Sequence, residues 1–254
     1  MRWWVWSFLV LIGLPALSQA DVNCQVASTP YIPTVNVTGA PTGYPFTVAG
    51  VVKMNTATGT DLYYDVFGVG RRQTGFSVYI HNISTSSMGL GVTNWNSALD
   101  VEVTGALVAG QWYYFGISFL SSSTYAYMVY DYAATTWLIS ATSTAANLGT
   151  LVAPGTRLVL CNHEDSVGAI DGNSDITVRW LGLWSKDMTV QNGMLVRAMA
   201  HHGPYSVATP GVLYTFQEGT GTTVFDHRRT GNDGTMSSAL PWVTAQRPAA
   251  LFIP

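Results

Sequence analysis

From Pro45 onward, short runs rich in Val, Ile, Tyr, Phe, Trp and Thr recur with turn residues between them. The clearest are Phe46–Met54, Leu62–Val69, Phe76–His81, Gln111–Phe119, Tyr125–Tyr130, Thr136–Ser140, Arg157–Cys161 and Ile176–Trp184. In Phe76-Ser77-Val78-Tyr79-Ile80, one face takes Phe76, Val78 and Ile80. A period of two marks a strand with one buried face, and many such strands at short spacing predict a sandwich or barrel. One stretch breaks the pattern. Thr189 is a fair N-cap, and Met194, Leu195, Ala198 and Met199 follow the three-and-four spacing of a helix face. Gly203-Pro204 ends that helix, and Gly193 weakens it locally. Residues 21–44 carry Pro30, Pro33 and Pro41 without clear periodicity and read as an extended arm. No internal repeat is evident, so residues 45–254 read as one domain.

Composition narrows the class. Of 254 residues, 10% are charged and 12% aromatic, a β-rich secreted composition and not a disordered one. Net charge is −3, and the densest basic spots are the pairs Arg71-Arg72 and Arg228-Arg229. A nucleic-acid partner needs a basic surface, so none is expected. The N-terminus adds an address. Arg2 precedes an uncharged, largely apolar stretch from Trp3 to Leu17, and Ser18-Gln19-Ala20 supplies small residues before Asp21. This predicts a secretory signal peptide over residues 1–20. The apolar run is ~15 residues, short of the ~20 that span a bilayer, so a membrane contact is expected only if the segment stays uncleaved. The mature chain would then lie outside the cytoplasm, in the periplasm, at the cell surface or beyond. In an oxidising compartment Cys24 and Cys161 are free to pair; the alternative is two thiols, with Cys161 a small buried apolar residue.

Three stretches carry a family resemblance. Gly110-Gln111-Trp112-Tyr113-Tyr114-Phe115-Gly116 resembles the glycine–tryptophan strand of laminin-G-like domains. Leu181 to Thr189 resembles the closing strand that runs into a short helix. Most specific is Leu213-Tyr214-Thr215-Phe216-Gln217-Glu218-Gly219-Thr220-Gly221, continuing through Asp226 to Gly231-Asn232-Asp233-Gly234-Thr235. It is similar to a signature of bacterial and phage members of that family. The resemblance implies an all-β fold: a two-sheet antiparallel β-sandwich, a concanavalin A-like jelly roll, with one short helix near the C-terminal third. In many members the signature opens the domain; here it closes it. First and last strands of such a sandwich are neighbours, so one strand carried to the far end preserves the sheet.

Candidate chemistry is sparse. The related glucanases imply two Glu and an Asp alternating on one strand. Asp100-Val101-Glu102 supplies two acids on one face, but Thr104 takes the third place, so an enzyme is not expected. Calcium wants six to eight oxygens on a flexible loop, and Asp171-Gly172-Asn173-Ser174-Asp175 offers alternating ones. The family resemblance implies a second candidate, a structural Ca²⁺ held by Asp226 with Asn232 and Asp233. Arg179 stands near the place where the family supplies an Asp. Asn-Asp-Gly is also simply a good tight turn.

Aromatics are the remaining lead, since sugar C–H faces stack on them. Trp95 lies in Asn94-Trp95-Asn96-Ser97, an amide on each side, and is the first candidate platform with Asn96. Tyr63 and Tyr132 follow, whereas Trp112, Trp180 and Trp184 fit core positions. The reading is a non-catalytic, extracytoplasmic binding or adhesion domain, with a glycan or cell-surface polysaccharide as the partner that the fold resemblance implies. The alternative is a self-assembling structural protein of a surface, filament or virion.

Overall fold

The structure, a computed structural model, describes residues 20–24, 32–33, 41, 43–56, 62–70, 75–84, 87–93, 101–143, 158–164, 170–171, 175–188, 194–204, 210–216, 218–228, 231–235 and 242–244. In chain order the strands are β1 (Ala20–Cys24), β2 (Ile32–Pro33), β3 (Phe46–Met54), β4 (Leu62–Val69), β5 (Phe76–Ser84) and β6 (Ser87–Thr93). Then come β7 (Val101–Leu107), β8 (Trp112–Phe119), β9 (Tyr125–Asp131), β10 (Thr136–Ser143), β11 (Leu158–Leu160), β12 (His163–Glu164) and β13 (Ile170–Asp171). β14 (Ile176–Trp184) precedes the helix α1 (Met194–His202), and β15 (Val212–Tyr214), β16 (Thr223–Val224), β17 (Gly234–Thr235) and β18 (Trp242–Thr244) follow.

These strands form a two-sheet antiparallel sandwich. One sheet has eight strands in the order β10-β9-β8-β3-β14-β1-β18, with β15 also on β14. The other has six, β2-β11-β4-β5-β6-β7. Alternation along each strand builds the core between them. Phe46, Val48 and Val52 of β3, Phe115, Ile117 and Phe119 of β8, and Phe76, Val78 and Ile80 of β5 all point into it. Each such side chain contributes roughly 1.5–3 kcal/mol on burial.

The eight-stranded sheet is covered on its other face as well. Ala49, Val51, Trp112, Tyr114, Tyr130, Trp180 and Trp184 form a second cluster there with Met188, Leu213, and Met199 and Ala200 of α1. Every residue of β14 and of β8 is therefore buried. The helix ends where the sequence places its stop. Gly203 takes a φ of +83°, open to glycine at no steric cost, and its N–H donates to the Met199 carbonyl at 2.9 Å. Residues 189–193, with the expected cap Thr189, lie outside the described residues.

Within residues 21–44, where the sequence predicts an extended arm, the described segments Asp21–Cys24 and Ile32–Pro33 lie in strands. β1 pairs with β14 through Val22↔Val178 and with β18 through Val22↔Trp242, so it is an inner strand. β2 pairs with β11. A five-residue strand is too short to show a period, and it is held by its ends instead. At one end the Cys24 sulfur is bonded to that of Cys161, 137 residues on, linking the two sheets. At the other, Arg179 is the extra residue of a bulge in β14, and its guanidinium meets the Asp21 carboxylate at 3.1 and 3.2 Å. The C-terminal signature also joins the sheet. β15 pairs with β14 through Leu181↔Tyr214, along the edge of β14 that β1 occupies further down.

Candidate functional site

The face of the six-stranded sheet turned away from the core carries most of its polar chemistry. On β5 the residues alternating with the core set are Ser77, Tyr79 and His81. Strand register brings β4 alongside, Tyr63 opposite His81 and Asp65 opposite Tyr79. The Tyr63 and His81 rings stack 4.2 Å apart and 9° from parallel, and Tyr79 meets Tyr63 edge-on at 5.2 Å. On β6, Gly91 lies opposite Tyr79. A Cβ there would come within 2.2 Å of the Tyr79 ring, so glycine is what lets that ring lie across the strand.

Asp65 organises the polar half. Ser77 Oγ donates to Asp65 Oδ1 at 3.3 Å, and His163 Nδ1 lies 3.0 Å from Asp65 Oδ2. Gly68 makes the approach of β12 possible, since a Cβ there would meet the His163 Cβ at 2.9 Å. Asn162 accepts the His163 N–H through its side-chain oxygen at 2.9 Å. The three side chains have the members of a nucleophilic triad in the wrong order. In a working triad histidine sits between hydroxyl and carboxylate and takes the proton. Here the carboxylate is central, lying between Ser77 and His163. The cluster positions Asp65 and leaves Tyr63, half-buried, as its ring nearest solvent.

The predicted site residues are distributed unevenly. Tyr63 belongs to this face. Trp95, Asn96 and Asp100 lie outside the described residues, on the connection between Thr93 of β6 and Val101 of β7. Glu102 stands opposite Gly91 in the register of β6 and β7. Tyr132 is not a surface platform. It is 3% exposed, its hydroxyl donates to the Ala200 carbonyl at 2.6 Å, and burial pushes the phenol far above its usual range. The reason is α1, which covers this part of the sheet.

The signature-loop residues expected to hold calcium are turned to hydrogen-bond donors. Asp226 is 1% exposed, and its Oδ1 accepts the N–H of Leu213 at 3.1 Å and of Arg228 at 3.0 Å. Its Oδ2 accepts from Asn232 Nδ2 at 3.0 Å. Asp233 Oδ1 accepts the Asp226 N–H at 2.9 Å, and Tyr214 donates to the Asn232 carbonyl at 2.6 Å. A cation needs oxygens presented to it, whereas these face N–H donors. The signature is a self-bonded loop that pins β15. Asp175 is likewise engaged, by Asn55 Nδ2 at 3.2 Å and by the Thr56 hydroxyl. Asp171 sits opposite His163 in the β12-β13 ribbon. Among the described residues no three His, Cys, Asp or Glu come together as a metal set.

Sequence reasoning missed Asp65, Ser77, His81 and His163. Ser77 and His81 were within reach, on the polar face of a recognised strand. The Asp65–His163 pair was not, since 98 residues separate the two.

No protein-family model matches the chain, and no curated protein matches it by sequence. Solved structures do. The SAP-like pentraxin from Limulus polyphemus, a native heptamer, superposes with a TM-score of 0.55 at 14% identity, over 76% of this chain and 88% of that one. The LG1–3 region of the laminin α2 chain gives 0.43 at 11% identity over 65% of this chain, which spans 31% of that fragment. A CBM40 module of the Ruminococcus gnavus IT-sialidase, bound to α2,3-sialyllactose, gives 0.42 at 10% identity, over 70% and 95% of the two chains. Strand order, two antiparallel sheets and the pentraxin superposition together make this a two-sheet jelly-roll sandwich.

Proposed function

We propose that the chain is a non-catalytic, extracytoplasmic glycan-binding domain whose ligand docks on the outer face of the six-stranded sheet at Tyr63. One observation carries the reading: a half-buried tyrosine ring, held flat on His81, beside a hydrogen-bonded carboxylate on the same face. A pyranose presents an apolar C–H face, which the Tyr63 ring would meet, while Asp65, 1% exposed and held by Ser77 and His163, stiffens the face beneath it. The ring is already fixed by its neighbours, so little ordering cost falls on binding. The bridge between Cys24 and Cys161 supports an oxidising compartment.

The test is a glycan array followed by calorimetry on the leading hit. Tyr63→Ala is expected to weaken binding at least tenfold while circular dichroism stays unchanged. Binding to no glycan, or an unaltered affinity in the variant, would sink the reading. Self-association is a second reading, favoured by the eight-residue β10 at one end of the large sheet, which brings half-buried Trp137 and Leu138 there. Size-exclusion chromatography separates the two, and a clean monomer rules out assembly.

A further inference from the structure

We infer that the Cys24–Cys161 bridge is a latch: it holds the left-handed turn that lays β12 across the outer face of β4, so this strap closes only where disulfides form. The inference does not depend on a ligand. β11 runs beside β4 in the sheet as far as Leu160↔Phe67, and the Cys161 N–H donates to the Val66 carbonyl at 2.9 Å. There the chain leaves the sheet. Cys161 takes a φ of +64°, a conformation that crowds any residue with a Cβ and that glycine would adopt freely. Its side chain stays in the core with Cys24, while Asn162 and His163 pass to the opposite side of the sheet. Gly68 marks their path. It lies opposite the outward-facing Ser77, and a Cβ on it would meet His163 Cβ at 2.9 Å, His163 Cα at 3.0 Å and the Asn162 carbonyl oxygen at 3.3 Å. The chain at Asn162 and His163 therefore occupies the outward side of β4.

Two attachments hold the strap down. One is the contact of His163 Nδ1 with Asp65 Oδ2 at 3.0 Å, and beneath it Asp65 and Ser77 are buried although they point outward. The other is the bridge, one residue before Asn162, whose far end lies on β1 and is tied through β1 to β14. A strained turn persists where its surroundings over-determine it, and the covalent bond is the strongest constraint on Cys161. Without the bond the turn relaxes toward an ordinary φ, and the chain after it changes direction. The bond forms by exchange. The two cysteine thiols pass two electrons and both protons to a small disulfide, which leaves as two thiols while sulfur joins sulfur between Cys24 and Cys161. Once made, the bond is shielded, since Cys24 is 0% and Cys161 1% exposed. The latch is thus set once, during folding, and a chain folded under reducing conditions keeps the strap open.

The experiment is histidine footprinting of the whole chain with diethyl pyrocarbonate, read by mass spectrometry. The chain is refolded from urea either with a glutathione redox pair or in dithiothreitol. His202, exposed at the end of α1, and His201, half-buried against Tyr130, serve as references on the other sheet. His163 is buried, and in the oxidised chain it is expected to react about tenfold more slowly than His202. In the reduced chain, and in Cys24→Ser with Cys161→Ser, its rate should rise about fivefold while that of His201 stays within about twofold. Cys24→Ser with Cys161→Gly lacks the bridge but accepts the left-handed turn, so it should restore most of the protection. A His163 rate that ignores reduction would overturn the inference. A joint rise of His163 and His201 would also overturn it, because the bridge would then hold the whole fold and not the strap. Equal His163 rates in the serine and glycine variants would do the same, because the turn would then not be what the bridge holds.

Discussion

The buried pair of Asp21 and Arg179 gives a sharp test of how the N-terminal strand is held. Asp21 is 1% exposed and Arg179 7%, and the guanidinium also lies 4.3 Å from the Trp112 ring centre. Asp21→Ala leaves the two bonded nitrogens of Arg179 facing a gap, with its charge still buried. Removing one partner of such a pair costs about 3–5 kcal/mol. For a chain of this size that lowers the melting temperature by roughly 6–20 °C. Burial lifts the Asp21 carboxyl above its usual range even though Arg179, and Lys53 further off, pull it down. The folded chain thus holds this proton more tightly than the unfolded chain does. Stability tied to the group is greatest below the unfolded carboxylate's range and falls as pH rises through the folded value. Asp21→Asn keeps an acceptor but leaves the buried guanidinium without its counter-charge, so at pH 7 it should cost less than Asp21→Ala. It should also gain on the parent as pH rises from 4 to 7. Asp21→Leu with Arg179→Leu, an apolar swap, should recover most of the loss of Asp21→Ala. Urea midpoints of the three variants across that pH range decide it. If Asp21→Ala costs under about 1 kcal/mol, the pair is not buried as described, and β1 is held by its backbone and disulfide alone.

Three further outcomes follow from the same packing. Tyr114 is fully buried, its hydroxyl has no hydrogen-bond partner among the described residues, and burial pushes its phenol well above the usual range; Tyr114→Phe should raise stability by about 1 kcal/mol in thermal melts, and a loss would mean the hydroxyl is bonded. Gly91→Ala should cost about 1–3 kcal/mol by urea titration, because the new methyl meets a Tyr79 ring that is itself buried, and adding Tyr79→Ala should remove the clash. Replacing Cys24 and Cys161 with Ser should cost about 2–5 kcal/mol, given the long loop the bridge closes, and dithiothreitol should then cease to affect the melting curve.

The long strands were legible because each shows its period over eight or nine residues. β3, β4 and β14 begin and end where the sequence places them. β6 was missed, and its composition explains why. Ser87-Met88-Gly89-Leu90-Gly91 puts glycine at the outward positions, which reads as turn, whereas Gly91 is there to admit the Tyr79 ring. Tyr132 was misread for a different reason. Periodicity tells which residues share a face, not whether a helix covers that face. The acidic signature loop was read through a cation, but its carboxylates are spent on backbone N–H groups only the folded chain brings near. The candidate face around Tyr63 was half visible. Tyr63 and the polar side of β5 can be read from the sequence, while the Asp65–His163 contact depends on β11 delivering the chain past β4.

The placement of the signature follows from the edge of β14. That edge holds β1 against Ile176 to Val178 and β15 against Leu181 to Leu183, the bulged Arg179 between them. Neither segment alone covers the strand. The N-terminal one is fixed by a carboxylate at its head and a disulfide at its tail. The C-terminal one is fixed by the Asp226 carboxylate on the Leu213 N–H and by the Tyr214 hydroxyl on the Asn232 carbonyl. Two short strands from opposite ends of the chain thus finish one edge, each with its own polar anchors in place of length. The sheet needs this edge of β14 occupied, and does not record from which part of the chain the occupant comes.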